Sequence, residues 1–204
     1  MNEYFRLNIG PGHGWPYVPE PHPVEPGRWP ELEAALALVN RDLAATLPEQ
    51  DPLILMLCPS TEPVRESPVD HDQIYVAMPD GRWHGNPVHA CDPEEDGVPP
   101  EWDNRAAVLA TVAEGAQETL MELLWQVWPL CSTHKIGMHA GLAGTGDSRY
   151  PDGAGPAGPA VWWCSGGRDG THHDACLVGE LADTLPGKQR RALRRTERRK
   201  DGRG

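Results

Sequence analysis

The stretch Cys131-Ser-Thr-His134 places a thiol and an imidazole three residues apart, and it organises the last third of the chain. Cys164 follows after a loop rich in glycine and proline, and His172, His173 and Cys176 come soon after it. Thiolate and neutral imidazole are the ligands that zinc prefers, and a Cys-x2-His turn lets two of them reach one ion. Together with Cys164 and one residue of the later cluster, this turn would complete a tetrahedron. The sequence therefore predicts a structural zinc site.

Several residues could supply the fourth ligand of this site. His173 is favoured beside Cys131, His134 and Cys164, and the alternatives are His172, His139 and Cys176. The competing interpretation has no metal: the cysteines are small buried residues of strands and the histidines belong to loops. Four protein ligands would leave no open coordination position, which argues against catalysis by this metal.

A long helix is predicted directly before this stretch, from about Asn104 to Trp128, and Pro129 ends it. Apolar residues three or four positions apart form its buried face: Val108, Val112, Ala116, Leu120, Leu123 and Val127. Glutamates at i, i+4 spacing mark a solvated face: Glu114, Glu118 and Glu122. Gly115 costs this helix about 1 kcal/mol relative to alanine, unless another element packs closely against it.

The remaining pattern predicts an α+β fold. A first helix begins at Pro30 and ends before Pro48, with an apolar stripe of Leu32, Leu36, Val39 and Leu43. Apolar runs predict strands at 53–57, 73–78, 160–164 and 175–179, with a hairpin turn at 165–170 and a loop at 141–160. We expect two main helices packed on a small antiparallel sheet, with a zinc-ribbon-like C-terminal hairpin and a disordered basic tail.

The expected organisation is one domain with an arm and a tail. Residues 1–30 form a proline-rich arm, and residues 31–103 form the N-terminal α/β half of the domain. Residues 104–185 supply the long helix and the zinc-ribbon-like segment, and residues 186–204 form the basic tail. In the strand at 160–164, Trp162 and Trp163 face opposite sides of the sheet, so we expect one in the core and the other covered by the arm.

Charge is divided sharply along the chain, whose formal net charge is −12. Residues 188–204 hold nine of the eighteen basic side chains and two of the thirty acidic ones. The tail arginines fall in two rows at i, i+4 spacing: Arg190, Arg194, Arg198 and Arg191, Arg195, Arg199. Like charges at this spacing disfavour an isolated helix, so we expect disorder until nucleic acid or an acidic partner neutralises the tail. The alternatives are a solubilising end or pairing with the acidic body of the same chain.

Other features bear on location and on catalysis. Five cysteines without paired spacing argue against a disulfide framework. The N-terminus lacks a signal-peptide pattern and no apolar run is long enough to span a membrane, so we expect a cytoplasmic protein without a membrane partner. The common phosphate-loop, metalloprotease, nucleophile-elbow and dinucleotide motifs are missing.

The leading interpretation is a non-catalytic cytoplasmic binding protein with structural zinc and a basic tail, and no catalytic residue is assigned. One alternative is a small hydrolase, dependent on a metal or on a Cys/His pair, with its site near His84, His89 and Cys91. Another alternative is a subunit of a larger assembly, docked through the Trp/Pro-rich arm.

The segment from about Val108 to Leu181 resembles a group of uncharacterised actinobacterial proteins. The shared pattern is Trp128-Pro129-x-Cys131-x-x-His134, then Trp162-Trp163-Cys164, then His173 through Val178-Gly179-Glu180-Leu181. The resemblance implies a zinc-ribbon-like module and no known activity. The chain departs from the pattern in Arg168-Asp-Gly-Thr-His172, which bears on the fourth ligand.

Overall fold

The computed structural model describes residues 20–59, 73–88, 105–144, 158–167 and 170–191, together with residues 193 and 195. The helices are α1 (Pro30–Thr46), α2 (Arg105–Leu124) and α3 (Leu181–Thr184). The strands are β1 (His22–Pro23), β2 (Ile54–Cys58), β3 (Gln73–Ala77), β4 (His139–Leu142), β5 (Ala160–Cys164) and β6 (His173–Leu177). The α+β prediction is therefore confirmed. No helix within these ranges has the length and apolarity to cross a bilayer.

The strands form two small antiparallel sheets, where the sequence predicted one sheet and a separate C-terminal hairpin. The first has the order β1-β2-β3 and the second the order β4-β5-β6. Helices α1 and α2 pack on each other and share a hydrophobic core with strands of both sheets. Sequence patterning shows which face of each strand is apolar, but it does not specify which strands pair. That choice depends on contacts between distant segments.

Helix α1 confirms its predicted apolar stripe, since Leu32, Leu36, Val39 and Leu43 are all buried. Asn40 connects α1 to the first sheet: its side chain donates to the Leu53 carbonyl at 3.0 Å and accepts the Leu53 N–H at 2.8 Å. These two hydrogen bonds fix the start of β2 against the helix.

Helix α2 ends four residues earlier than predicted. Trp125, with φ of +52°, follows the last helical residue, Leu124. Val112, Ala116 and Leu120 are fully buried, as the periodicity requires. The predicted burial of Val127 was wrong, because this residue lies beyond the helix and is half exposed.

Gly115 lies where α2 meets the first sheet, so another element does pack closely against this glycine. A Cβ at this position would lie 2.8 Å from Val88 Cγ1 and 3.6 Å from Val76 Cγ2. We expect Gly115→Ala to lower stability, because overpacking costs about 1–3 kcal/mol and outweighs a helix-propensity gain of about 1 kcal/mol. Urea unfolding of Gly115→Ala and of Gly115→Ala/Val88→Ala measures both terms. A stabilised single variant would contradict this packing argument.

Three further expectations differ from the structure. Strand β4 was missed, because Gly141 and the sequence after it read as a loop. The described end of the proline-rich arm is an edge strand: β1 pairs with β2, and the Val24 N–H donates to the Leu55 carbonyl at 2.9 Å. The beginning of the tail is helical at residues 187–191, 193 and 195, which differs from the expected disorder. Residues 1–19 and the rest of the tail lie outside the described residues.

Candidate metal centre

The turn after α2 presents two candidate ligands from one tight loop. The Cys131 N–H donates to the Ile136 carbonyl at 2.9 Å, and the Lys135 N–H donates to the Cys131 carbonyl at 3.0 Å. Lys135 takes a left-handed conformation with φ of +59°, which turns the chain back on itself. The His134 N–H points at the Cys131 sulfur at 3.4 Å. Residues 131–136, here called the knuckle, thus hold a thiol and an imidazole side by side.

The β5–β6 hairpin supplies the other two candidates. Cys164 and His173 are directly opposite in the antiparallel register, so their side chains lie on the same face of the sheet. Gly166 begins the turn, and a Cβ there would lie 2.3 Å from the Thr171 backbone nitrogen. The Gly166 N–H also points at the Cys164 sulfur at 3.5 Å. The turn therefore requires glycine at this position.

The knuckle and the hairpin meet at one point. Ligand atoms of Cys131, His134, Cys164 and His173 all lie within 4.8 Å of one another. Cys131 Sγ is 3.8 Å from both His134 Nδ1 and His173 Nε2, and His134 Nδ1 is 3.4 Å from Cys164 Sγ. Zinc–ligand bonds of about 2.3 Å to sulfur and 2.0–2.1 Å to nitrogen give a tetrahedron with sulfur–nitrogen edges of about 3.5 Å. The four residues form a metal-binding arrangement with dimensions compatible with zinc.

The tautomer of His173 suits a ligand at Nε2. His173 Nδ1 lies 3.3 Å from the Thr171 carbonyl, which only accepts hydrogen bonds. A proton on Nδ1 leaves the Nε2 lone pair directed at the sulfur of Cys131. Carbonyl groups commonly orient metal-binding histidines in this manner.

The thiols of Cys131 in the knuckle and Cys176 in β6 differ in acidity. Burial acts to raise the pKa of Cys131, but hydrogen bonds from the backbone N–H groups of His134 and Thr133 outweigh it. The side chains of Cys164 and His134 add to the effect, and the pKa of Cys131 falls to about 6. By contrast, burial raises the pKa of Cys176 to about 12, with added repulsion from acidic neighbours. A metal ligand must be a thiolate, so the lowered pKa of Cys131 suits it to the role. Cys176 pairs with Trp162 in the register and lies outside the cluster.

The alternative ligands lie away from the cluster. His139 pairs with Trp163 across β4 and β5, and its ring stacks on the indole with centroids 4.8 Å apart. His172 stacks on the same indole at 5.8 Å. Trp163 is thus in contact with two imidazoles. The predicted cover by the proline-rich arm stays a prediction, because residues 1–19 lie outside the described residues. Within the described residues, no other group of three His, Cys, Asp or Glu side chains converges in this way.

Asp42 holds the second sheet against α1, a role that the sequence patterns described above did not predict. Its side chain is fully buried, and Oδ2 accepts hydrogen bonds from Trp162 Nε1 at 2.8 Å and the Gly179 N–H at 2.6 Å. Oδ1 accepts the Leu181 N–H at 2.8 Å. Burial raises the pKa of Asp42, and these three hydrogen bonds oppose the rise. A signal was present, because Asp42 lies within the apolar stripe, three residues after Val39.

Two aromatic rings extend this contact toward the knuckle. Trp128 packs edge-on against Trp162 with ring centroids 5.2 Å apart, and its Nε1 donates to Thr46 Oγ1 at 2.8 Å. Gln117 of α2 donates to the Trp128 carbonyl at 2.9 Å and also to the Met138 carbonyl. The residues on both sides of the knuckle are therefore hydrogen-bonded to helices α1 and α2 without any contribution from a metal.

The other predicted site residues are only partly described. His84 is exposed and lines an open groove beside α2, whereas His89 and Cys91 lie outside the described residues. Arg190, Arg191 and Arg195 are exposed, whereas Arg194, Arg198 and Arg199 fall outside the described set. The structure therefore brings together the four favoured metal ligands, whereas the hydrolase alternative stays a prediction because only His84 of its three residues is described.

Comparison of the chain with protein-family models, with curated proteins and with solved structures gave no match. The resemblance to the actinobacterial group stays a prediction. The metal-binding role of the cluster is therefore inferred from its geometry. Two sulfurs and two nitrogens at tetrahedral spacing are typical of a closed site rather than of one that holds a substrate.

Proposed function

We propose that this chain is a non-catalytic binding protein that uses zinc for structure and its basic tail to contact a polyanionic partner. The observation that supports this proposal most strongly is the cluster of four candidate ligands, Cys131, His134, Cys164 and His173. Its two thiols are buried, and its four ligands fill the coordination sphere that zinc prefers. No position remains at which a substrate or water would be activated.

The zinc would connect two segments that are far apart in the sequence. It would tie the knuckle after α2 to the β5–β6 hairpin, which carries the glycine-rich turn at residues 165–170. A bound ion stabilises the folded state by its full binding free energy, because the unfolded chain holds no such site. Zinc thus supports the end of the domain from which the tail emerges.

The tail supplies the proposed contact surface. Its helical beginning follows α3, and the described arginines Arg190, Arg191 and Arg195 are exposed. Guanidinium groups bind phosphates and carboxylates through paired hydrogen bonds. The rest of the chain carries a net negative charge and would repel nucleic acid, so contact with a polyanion has to occur through the tail.

The proposal includes the cytoplasm as the location, because thiols and zinc thiolates persist in a reducing compartment. It also includes membership of the actinobacterial group with the Trp-Pro-x-Cys-x-x-His pattern. The spacing of this motif and of the Trp-x-Cys strand supports that assignment.

Salt-dependent binding of nucleic acid tests the role of the tail. We expect the full chain to bind a short duplex with a log–log salt slope near −5, since each phosphate contact adds about −0.9 and the two arginine rows of the tail supply about six contacts. A chain ending at Gly187 should lose this binding, while Glu49→Arg, which alters charge at an exposed site outside the tail, should keep it. Fluorescence anisotropy at several salt concentrations gives the slope. Equal binding by the shortened chain would contradict the assignment of the tail.

A further inference from the structure

An open groove of about 430 Å³ runs along α2 beside the knuckle. Its walls include Glu114, Glu118 and Glu122 from α2 and His84 from the loop after β3. Met121 and Val127 add apolar surface to the same groove. The groove is distinct from the Cys/His cluster and plays no part in holding a metal.

Exposed apolar side chains also occur in the segment that follows α2. Trp125 is 87% exposed, and Val127 and Leu130 are about half exposed. These residues follow the end of α2, where the chain turns toward the knuckle. Neighbouring exposed apolar side chains of this size commonly mark an interaction surface.

The charge of the groove identifies the chemistry of its partner. The three glutamates repeat at i, i+4 along α2; Glu122 is exposed and the other two are half-buried. The Asn86 N–H donates to Glu118 Oε2 at 3.1 Å, which fixes that carboxylate without neutralising its charge. No lysine or arginine is among the residues that line this described groove. A basic segment with an apolar residue is therefore the complementary partner.

The tail of this chain has the matching pattern. Arg190, Arg194 and Arg198 repeat at the same i, i+4 spacing, which on a helix is about 6 Å per step. Leu193 lies three residues after Arg190, so a helix places it on the same side as this row. The described tail residues 187–191, 193 and 195 are helical. A tail helix along α2 would place guanidinium groups opposite Glu118 and Glu122 and Leu193 near the exposed apolar side chains.

We propose that the basic tail of one copy binds in the α2 groove of a second copy. This inference rests on the proposed function, because it names the acidic partner of the tail. Arg190, Arg191 and Arg195 are exposed, so their guanidinium groups can contact another molecule. Reciprocal exchange of two tails closes a dimer with two-fold symmetry.

A complementation experiment tests the exchange. One variant ends at Gly187 and keeps the groove, and the other carries Glu118→Gln and Glu122→Arg and keeps the tail. In sedimentation velocity at about 50 mM salt, where charge screening is weak, we expect the full chain to dimerise and each variant alone to be monomeric. A mixture of the two variants restores one of the two contacts, so it should form a heterodimer. Charge reversal should weaken self-association about tenfold or more.

The matched control is Glu49→Arg, which makes the same charge change as Glu122→Arg at an exposed site outside the groove, and it should dimerise like the unmodified chain. A full chain that stays monomeric at high micromolar concentration would overturn the proposal, and so would a mixture without heterodimer. Zinc content and nucleic-acid binding are measured on the same samples. Failure of either would contradict the proposed function, while a groove-dependent dimer would still support this inference.

Discussion

Replacement of Cys164 by serine is expected to release the bound metal and to destabilise the second sheet. A serine hydroxyl does not ionise at neutral pH, so the site loses one of its two thiolate ligands. Structural zinc contributes about 10–16 kcal/mol of apparent binding free energy in small zinc domains, which is comparable with the whole stability of an ordinary domain. We expect zinc to fall from one ion per chain to a small fraction, and the melting temperature to drop by about 10 °C or more. Elemental analysis and thermal unfolding of untagged protein measure both.

Cys176→Ser is the matched control for this change. Cys176 lies in the same hairpin, but it is outside the cluster and its raised pKa keeps it a neutral thiol. Zinc content should therefore be retained, with a stability loss of about 1 kcal/mol. Full zinc occupancy in Cys164→Ser would contradict the proposed ligand set. The absence of metal from the unmodified protein, purified without chelator, would also contradict it.

The identity of the fourth ligand is decided by a second matched pair. His173→Ala should lose zinc, because its Nε2 lies in the cluster. His172→Ala should keep zinc, because its ring stacks on Trp163. Retention of zinc by His173→Ala would show that another residue, such as His172, His139 or Cys176, is the fourth ligand.

Asp42→Ala is expected to destabilise the fold by about 3–5 kcal/mol, independently of the metal. The substitution leaves three buried donors without an acceptor: Trp162 Nε1 and the N–H groups of Gly179 and Leu181. An unsatisfied buried donor costs about 1–3 kcal/mol, and the cost falls where water can enter. Because Trp162 precedes Cys164 by two residues in β5, the loss of this contact also loosens the hairpin.

Urea unfolding of zinc-loaded protein measures the effect. Asp42→Asn should also destabilise the fold, but by less than alanine, because the amide oxygen still accepts from two donors while the NH2 group faces the third N–H. Asp183→Ala provides the control: this carboxylate is exposed on α3, so its removal should change stability by no more than about 0.5 kcal/mol. A loss of less than about 1 kcal/mol in Asp42→Ala would show that the three hydrogen bonds do not hold the sheet.

Local signals in the sequence predicted much of the fold. The stripe of α1 and the central part of the α2 face are buried as their periodicity requires, because a helix with apolar residues on one side must cover that side. The end of α2 could not be placed from Pro129 alone, since the chain already turns at Trp125. Strand β4 was missed because its own sequence contains glycine and does not indicate a strand. Its extended conformation depends on the hydrogen bonds that it makes with β5.

By itself, the sequence determined the types of ligand and the tight Cys131–His134 spacing, because both depend on residues a few positions apart. Only the tertiary structure decided among the later histidines: the antiparallel register sets His173 opposite Cys164, and adjacent positions point to opposite faces. The same holds for Asp42, whose three donors come from residues more than a hundred positions away. Periodicity records which face of an element is buried, whereas register and long-range hydrogen bonds arise only when separate elements meet.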